Sequence, residues 1–367
     1  MTVARYYHPE YGFTVLIEFA EWNHDNEIDA VRQAPHFDHP NSGGYDGQFY
    51  AQLAVDPLLR DPALDQALDN PPYRARRILT PWIAYAAGLG RPAWVLQAYA
   101  VQGIVAWLVL AVILALWIPP TDASRFVLWS TAVLAHGPLM SVRYALPDIT
   151  AAVIVAAGVL AAERGRPIVA ALLLGVAGLA RETSLCAAAM FGRLLKRPWR
   201  TWLLTVICLI VCLLPLALWL DYLRSIFRAL TFAGGEHIVW PLAGLWWKLG
   251  ELGRQLANGT PMMAVVGSIA ALVAFTTQAS WLVWRLTARR DVSPWVLVGL
   301  GFLALALVAD PPVWEGTPGA YPRVFLPMML AARVTMARES RPAWWLAALA
   351  GLDVIPGIQL MFLFAWR

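Results

Sequence analysis

Charge is scarce in this sequence: Asp, Glu, Lys and Arg together supply 14% of its 367 residues. That excludes an ordinary soluble globule, in which about a quarter of residues are charged, and equally a solvated, highly charged disordered chain. Cysteine is scarcer still, with Cys186, Cys208 and Cys212 all in apolar stretches. They form no CxxC metal pair and no disulfide framework, and Cys208 and Cys212, on one helical face, read as small core residues. No half of the chain echoes the other and the ionisable groups collect at one face. Both features argue against a transporter, a lipid flippase included. Neither a signal peptide nor a first spanning helix precedes the polar N-terminal region. The net charge of +4, on so apolar a chain, does not point to a nucleic-acid partner.

Hydrocarbon is what the sequence has in abundance. Hydrophobic residues make up 59% of it and the mean hydropathy is +0.56, the signature of an all-α polytopic membrane protein. Tryptophans such as Trp94, Trp117, Trp219, Trp281 and Trp344 stand near the ends of apolar runs, where indoles favour the headgroup level. Spanning helices are predicted at about 92–117, 124–141, 147–162, 167–180, 183–195, 200–220, 260–284, 294–309, 322–337 and 342–365, roughly ten crossings. The pair flanking Arg181-Glu182-Thr183 is short, which suits a broken hairpin with its tip in a cavity.

Residues 1–77 differ from the rest, being mixed polar and aromatic. They are expected to form an interfacial loop domain, in which Phe13-Thr14-Val15-Leu16-Ile17 is a strand or an interfacial contact. Residues 78–91 are apolar but too short to cross and read as a re-entrant or interfacial segment; 92–367 make the bundle. Alternating crossings put Arg125, Arg164, Arg166, Arg193, Lys196, Arg285, Arg289, Arg290, Arg333 and Arg338 on one side, which is therefore predicted to be cytoplasmic. Residues 1–77, about 221–259 and 310–321 then face outward. An outward N-terminal domain implies either a helix ahead of residue 1 or a divergent N-terminus.

The polar residues sort by side in the same way. Asp46, Arg74, Arg76, Arg77, Arg143, Asp148, Arg181, Glu182, Glu236, His237, Asp310 and Arg323 all map to outward helix ends or loops, a cluster that makes a site hypothesis. Asp46 lies between glycines at the start of a helix and shares a face with Tyr50 and Leu53. Its carboxylate either caps that helix or serves as a base. Burial at an interface is expected to raise its pKa and improve it as a base. Arg76 and Arg77 sit against the charge bias beside an interfacial segment, where a phosphate headgroup would explain them. His36-Phe37-Asp38-His39 has metal-ligand residue types but reads as a structural or solvated loop. Glu236-His237 could line an acceptor path.

Three of these stretches carry a resemblance. Gly44-Tyr45-Asp46-Gly47-Gln48-Phe49-Tyr50, Tyr73-Arg74-Ala75-Arg76-Arg77-Ile78-Leu79 and Leu179-Ala180-Arg181-Glu182-Thr183 resemble segments of the GT-C superfamily of membrane glycosyltransferases. The resemblance is to poorly characterised bacterial members and, more distantly, to GPI mannosyltransferases. It implies a GT-C-like helical bundle in the bacterial inner membrane, with its active site on the extracytoplasmic face. The implied reaction takes a sugar from a polyprenyl-phosphate donor to a glycan, lipid or protein acceptor. Asp46 would be the base, Arg76, Arg77, Arg181 and Arg323 would hold the donor phosphate, and Tyr50, Asp148, Glu182, Glu236 and His237 would support the site or the acceptor. No cofactor is implied with certainty and a divalent metal is left open, because the loop has no paired Asp-x-Asp or Glu-x-Asp.

Overall fold

A computed structural model describes residues 3–196, 199–227, 238–339 and 344–363. Nearly every element is a helix; the one sheet among the described residues is a two-residue parallel pairing of Phe19–Ala20 with Asp38–His39. Among the described residues, three helices are long and apolar enough to cross a membrane, Pro92–Leu114, Thr201–Ile226 and Met262–Thr287. The bent pair Trp344–Ala350 and Val354–Phe362 would make a fourth.

That is fewer than the roughly ten crossings expected. The apolar runs are present as helices, but Asp148–Glu163, Pro167–Ala180, Pro294–Val308 and Leu326–Ala337 fall short of the ~20 residues a bilayer core requires. Prolines contribute to this: Pro167, Pro294 and Pro327 occupy first helical turns, where a missing N–H is tolerated, and so fix the starts. The run 124–141 is two helices, Ala123–Val133 and His136–Arg143, because the chain turns extended at Ala135 and the His136 N–H goes to the Asp353 carbonyl. The run 183–195 is a 3₁₀ helix, Glu182–Lys196, following the Pro167–Ala180 helix after a single extended residue, Arg181.

The N-terminal region is welded to the bundle. Ile17, Phe19, Ile28, Val31, Tyr50 and Leu53 share one buried core with Val95, Leu96 and Tyr99 of the Pro92–Leu114 helix and with Trp219 and Leu223 of Trp199–Ile226. The Phe13–Ile17 patch is neither strand nor interfacial: Thr14–Leu16 is a fully buried 3₁₀ turn, and Leu16 packs with Leu139 and Met361 of the bundle. Glu18, at φ +59°, meets Arg143 at 2.7 Å and adds an ionic clamp across the same boundary. Leu79–Ala87 is a nine-residue helix against the Pro92–Leu114 helix, with Ile83 and Tyr85 exposed.

Arg333 departs from its expected place among the cytoplasmic anchors. It is fully buried on Leu326–Ala337, where it pairs with the equally buried Asp353 and donates to the Ala350 carbonyl at 3.0 Å. Charge is therefore present inside the bundle as well as at one face of it.

Candidate functional site

The Gly-Tyr-Asp-Gly motif places Asp46 by backbone geometry. Asp46 is the first residue of the helix Asp46–Val55, preceded by Gly44 at φ +72°, a conformation that favours glycine. A Cβ on Gly47 would stand 2.3 Å from the Tyr144 carbonyl oxygen and 2.8 Å from that of Ile17, so the helix start occupies a slot that only glycine enters. Farther along, the side-chain oxygens of Gln48 and Gln52 accept the Ala20 and Ile28 N–H groups at 3.2 and 2.9 Å. The helix is thus pinned to the N-terminal region on one side and to the bundle on the other.

Asp46 does not cap its helix. Tyr45 is the N-cap residue and no side chain accepts there, which removes one of the two readings of the motif. The carboxylate instead meets Arg74 Nη2 at 3.0 Å and Arg323 Nη2 at 3.3 Å. From there an alternating chain of opposite charges runs in both directions. Arg74 forks onto Asp69 at 2.8 and 2.6 Å, and Arg323 continues to Asp148 at 3.2 Å, which also holds Arg181. Alongside, Arg77 makes a two-pronged contact to Glu182 at 3.0 and 2.8 Å and donates to the hydroxyls of Tyr50 and Tyr73 at 2.8 and 2.7 Å.

These charges border a cavity of about 330 Å³. Asp46, Tyr73, Arg76, Arg77, Arg181, Glu182, Thr183, Asp310 and Arg323 form its polar wall, and Leu305, Val313, Val324 and Phe325 contribute apolar surface. All four arginines expected to hold phosphate reach this one space, and so does the Arg181-Glu182-Thr183 tip. Tyr50 and Asp148 stand outside the lining and act through Arg77 on the one hand and Arg181 and Arg323 on the other. Glu236 and His237 lie outside the described residues.

Arg74, expected in the outward cluster but not as a partner of Asp46, and Asp69, not singled out from the sequence, join Asp46 in one chain of ion pairs. A signal for Arg74 exists: Asn70 caps the one-turn helix Pro71–Arg74 by accepting the Tyr73 N–H at 3.2 Å, and prolines follow at its start. Arg77 follows just beyond this turn, its N–H donating to the Arg74 carbonyl at 3.2 Å. The Trp219 indole N–H donates to the Ala75 carbonyl at 2.7 Å and ties this turn to the long Trp199–Ile226 helix.

Electrostatics reverse one expectation. Burial pushes the Asp46 carboxyl up, but Arg323 first and Arg74 next pull it further down, to about 2. The carboxylate is held ionised, not raised towards neutral pH. Since its folded pKa lies below an unfolded value of about 3.9, the pairing stabilises the fold above that pH and is lost as pH falls from about 4 to 2. The contribution is on the order of 2 kcal/mol. Melting curves of the wild type and Asp46→Asn should therefore stay apart above about pH 5 and converge towards pH 2. A gap that persists unchanged at low pH would show that these ion pairs contribute nothing to stability.

No protein-family model, curated protein or solved structure matches this chain. The functional reading therefore rests on the chemistry of the site.

Proposed function

We propose that the chain is a glycosyltransferase that moves a sugar from a polyprenyl-phosphate donor to an acceptor at the outer face of the membrane, with inversion and with Asp46 as general base. One observation carries the reading: three carboxylates and four guanidinium groups converge on one cavity that also has an apolar wall, in a chain with helices able to cross a membrane. That combination suits an amphiphile with an anionic head.

In the resting site every charge within reach of Asp46 is shared between carboxylates and arginines. An entering phosphate competes with Asp46 and Asp148 for Arg323 and with Asp148 for Arg181, and these guanidinium groups turn to it. Losing Arg323 removes the largest of the influences lowering the Asp46 pKa, so donor binding is what makes the base basic. Asp46 then takes the acceptor hydroxyl proton as that oxygen attacks the anomeric carbon. The carbon–oxygen bond to phosphate breaks with its electron pair on the phosphate, which the arginines stabilise and no acid need protonate. A single displacement of this kind inverts the anomeric centre.

The test is incubation of the purified protein with labelled polyprenyl-phosphate sugars, followed by product analysis. Arg323→Gln should weaken binding of the donor lipid by about 10- to 100-fold, the value of a hydrogen bond to a charged group. Unchanged donor binding with transfer lost would confine Arg323 to positioning Asp46. The buried Arg333–Asp353 pair favours the flippase reading, since charge inside a bundle suits a transport path. Movement of labelled lipid across vesicles that survives Asp46→Asn, with no transfer by the wild type, would decide for that reading.

A further inference from the structure

A second cluster of polar side chains lies apart from the cavity, and none of its members lines it. It consists of His24, at the end of the 3₁₀ turn Glu21–Asn26, Glu27 just after it, and His36 and Asp38 where the chain returns to pair with Phe19–Ala20. We propose that these four residues form a closed divalent-metal site, of a kind suited to Zn²⁺, that fastens the 24–38 loop against the Asp46-bearing helix.

The argument starts from a proton that can be placed. His36 Nδ1 lies 2.8 Å from the Ala34 carbonyl, and only an N–H can face a carbonyl oxygen, so in the neutral ring Nε2 carries the lone pair. Nε2 lies 3.3 Å from Glu27 Oε2 and 3.2 Å from Asp38 Oδ1. On the other side His24 Nδ1 stands 3.0 Å from Asp38 Oδ2 and 3.6 Å from Glu27 Oε2. Electron-rich atoms converge here from every direction, and the space between them calls for positive charge. The side chains of Glu27 and His36 are 1% and 2% exposed, so water does not supply it. Both Glu27 oxygens, His36 Nε2, His24 Nδ1 and Asp38 Oδ1 are buried without a hydrogen-bond partner.

Two protons could neutralise the two carboxylates, but none of these buried atoms makes a hydrogen bond of acceptable geometry. One dication fits better. Zinc bonds to imidazole and carboxylate of about 2.0–2.2 Å imply edges of roughly 3.3–3.6 Å between ligand atoms on a tetrahedron. With Asp38 Oδ1 as its ligand atom, the His36–Asp38, His36–Glu27 and His24–Glu27 contacts of 3.2, 3.3 and 3.6 Å fall on or near that range, His24 meets the other Asp38 oxygen at 3.0 Å, and one ligand atom from each residue lies within 4.8 Å of the others. Imidazole and carboxylate donors without thiolate suit zinc and its divalent neighbours. The His36 contact to a backbone carbonyl is the outer-shell support that metal-bound histidines have. His24 and Asp38, 38% and 27% exposed, leave a way in. Four protein ligands complete a tetrahedron, so the ion would be structural and not catalytic.

Its mechanical role follows from what the loop touches. Ile28, beside the ligand Glu27, gives its N–H to Gln52, and Ala20, paired in register with His39, gives its N–H to Gln48. An ion that closes the 24–38 loop therefore stiffens the support of the helix that carries Asp46. The adjacency of His36, Asp38 and His39 in sequence was misleading: His39 turns away to the Val15 carbonyl at 2.9 Å, and residues 24 and 27 complete the set.

The test uses the full chain in detergent with its affinity tag removed, stripped with a chelator and then equilibrated with Zn²⁺. Bound metal is counted by mass spectrometry and unfolding is followed by heat. The wild type and Asp46→Asn should each bind one equivalent and gain in melting temperature. The paired change Glu27→Gln with His36→Gln should bind less than about a tenth of that. Because those two positions are buried, His24→Gln at the exposed edge serves as the second variant and should weaken Zn²⁺ by at least about 100-fold. Wild type that binds no more zinc than His24→Gln overturns the proposal. So does an ion lost with Asp46→Asn and kept with His24→Gln, which would place the metal at the cavity.

Discussion

Asp46→Asn should lower sugar transfer by about 100-fold to 10,000-fold, the usual range for general-base catalysis, while the protein still folds and inserts. Asn has the same shape and keeps one acceptor oxygen, but it takes no proton near neutral pH. Arg74 retains Asp69 and Arg323 retains Asp148, so neither guanidinium is left alone. The expected stability cost is accordingly modest, about 1–3 kcal/mol for weakened charged hydrogen bonds. Transfer rate and melting temperature measured side by side separate the two effects. Near-normal turnover in the Asn variant would take the base role from Asp46. The choice would then pass to Glu182 or Asp310, which line the cavity, and not to Asp148, which stands behind it.

Arg77→Gln should fail in a different way, by loss of the fold. Arg77 is 4% exposed and makes four hydrogen bonds, two to Glu182 and one each to Tyr50 and Tyr73. It joins the motif helix Asp46–Val55, the turn after Asn70 and the start of the Glu182–Lys196 segment. Removing one partner of such a buried pair leaves the other charge uncompensated and costs about 3–5 kcal/mol. Yield and melting temperature should drop sharply. The double variant Arg77→Gln with Glu182→Gln should recover part of the loss, because no lone charge remains. Arg76→Gln, at a half-buried position on the cavity wall, should keep the wild-type melting temperature. A wild-type melting temperature for Arg77→Gln would show that the fold does not depend on these contacts. The sequence alone treats Arg76 and Arg77 as equivalent phosphate ligands; their different burial separates them.

What the sequence by itself determined is local. Apolar content and its interruption by Pro167, Pro294 and Gly165 defined helices whose observed limits lie close to the expected ones, because helix boundaries depend on residues within a turn of each other. The glycines around Asp46 marked a constrained backbone for the same reason: φ at Gly44 and close approach at Gly47 are properties of single residues. Only the tertiary structure decided which charges meet. Asp46 and Arg323 are 277 positions apart and Arg77 and Glu182 are 105 apart, distances over which no periodicity carries information. The same long-range pairing turned an expected rise in the Asp46 pKa into a fall, because two guanidinium groups outweigh desolvation. It brought His24 and Glu27 to His36 and Asp38, and it buried Arg333 against Asp353 where topology alone would have left it in water. A sequence fixes each residue's chemistry and local backbone, but a charge acquires its pKa, and so its function, from neighbours that only the folded chain supplies.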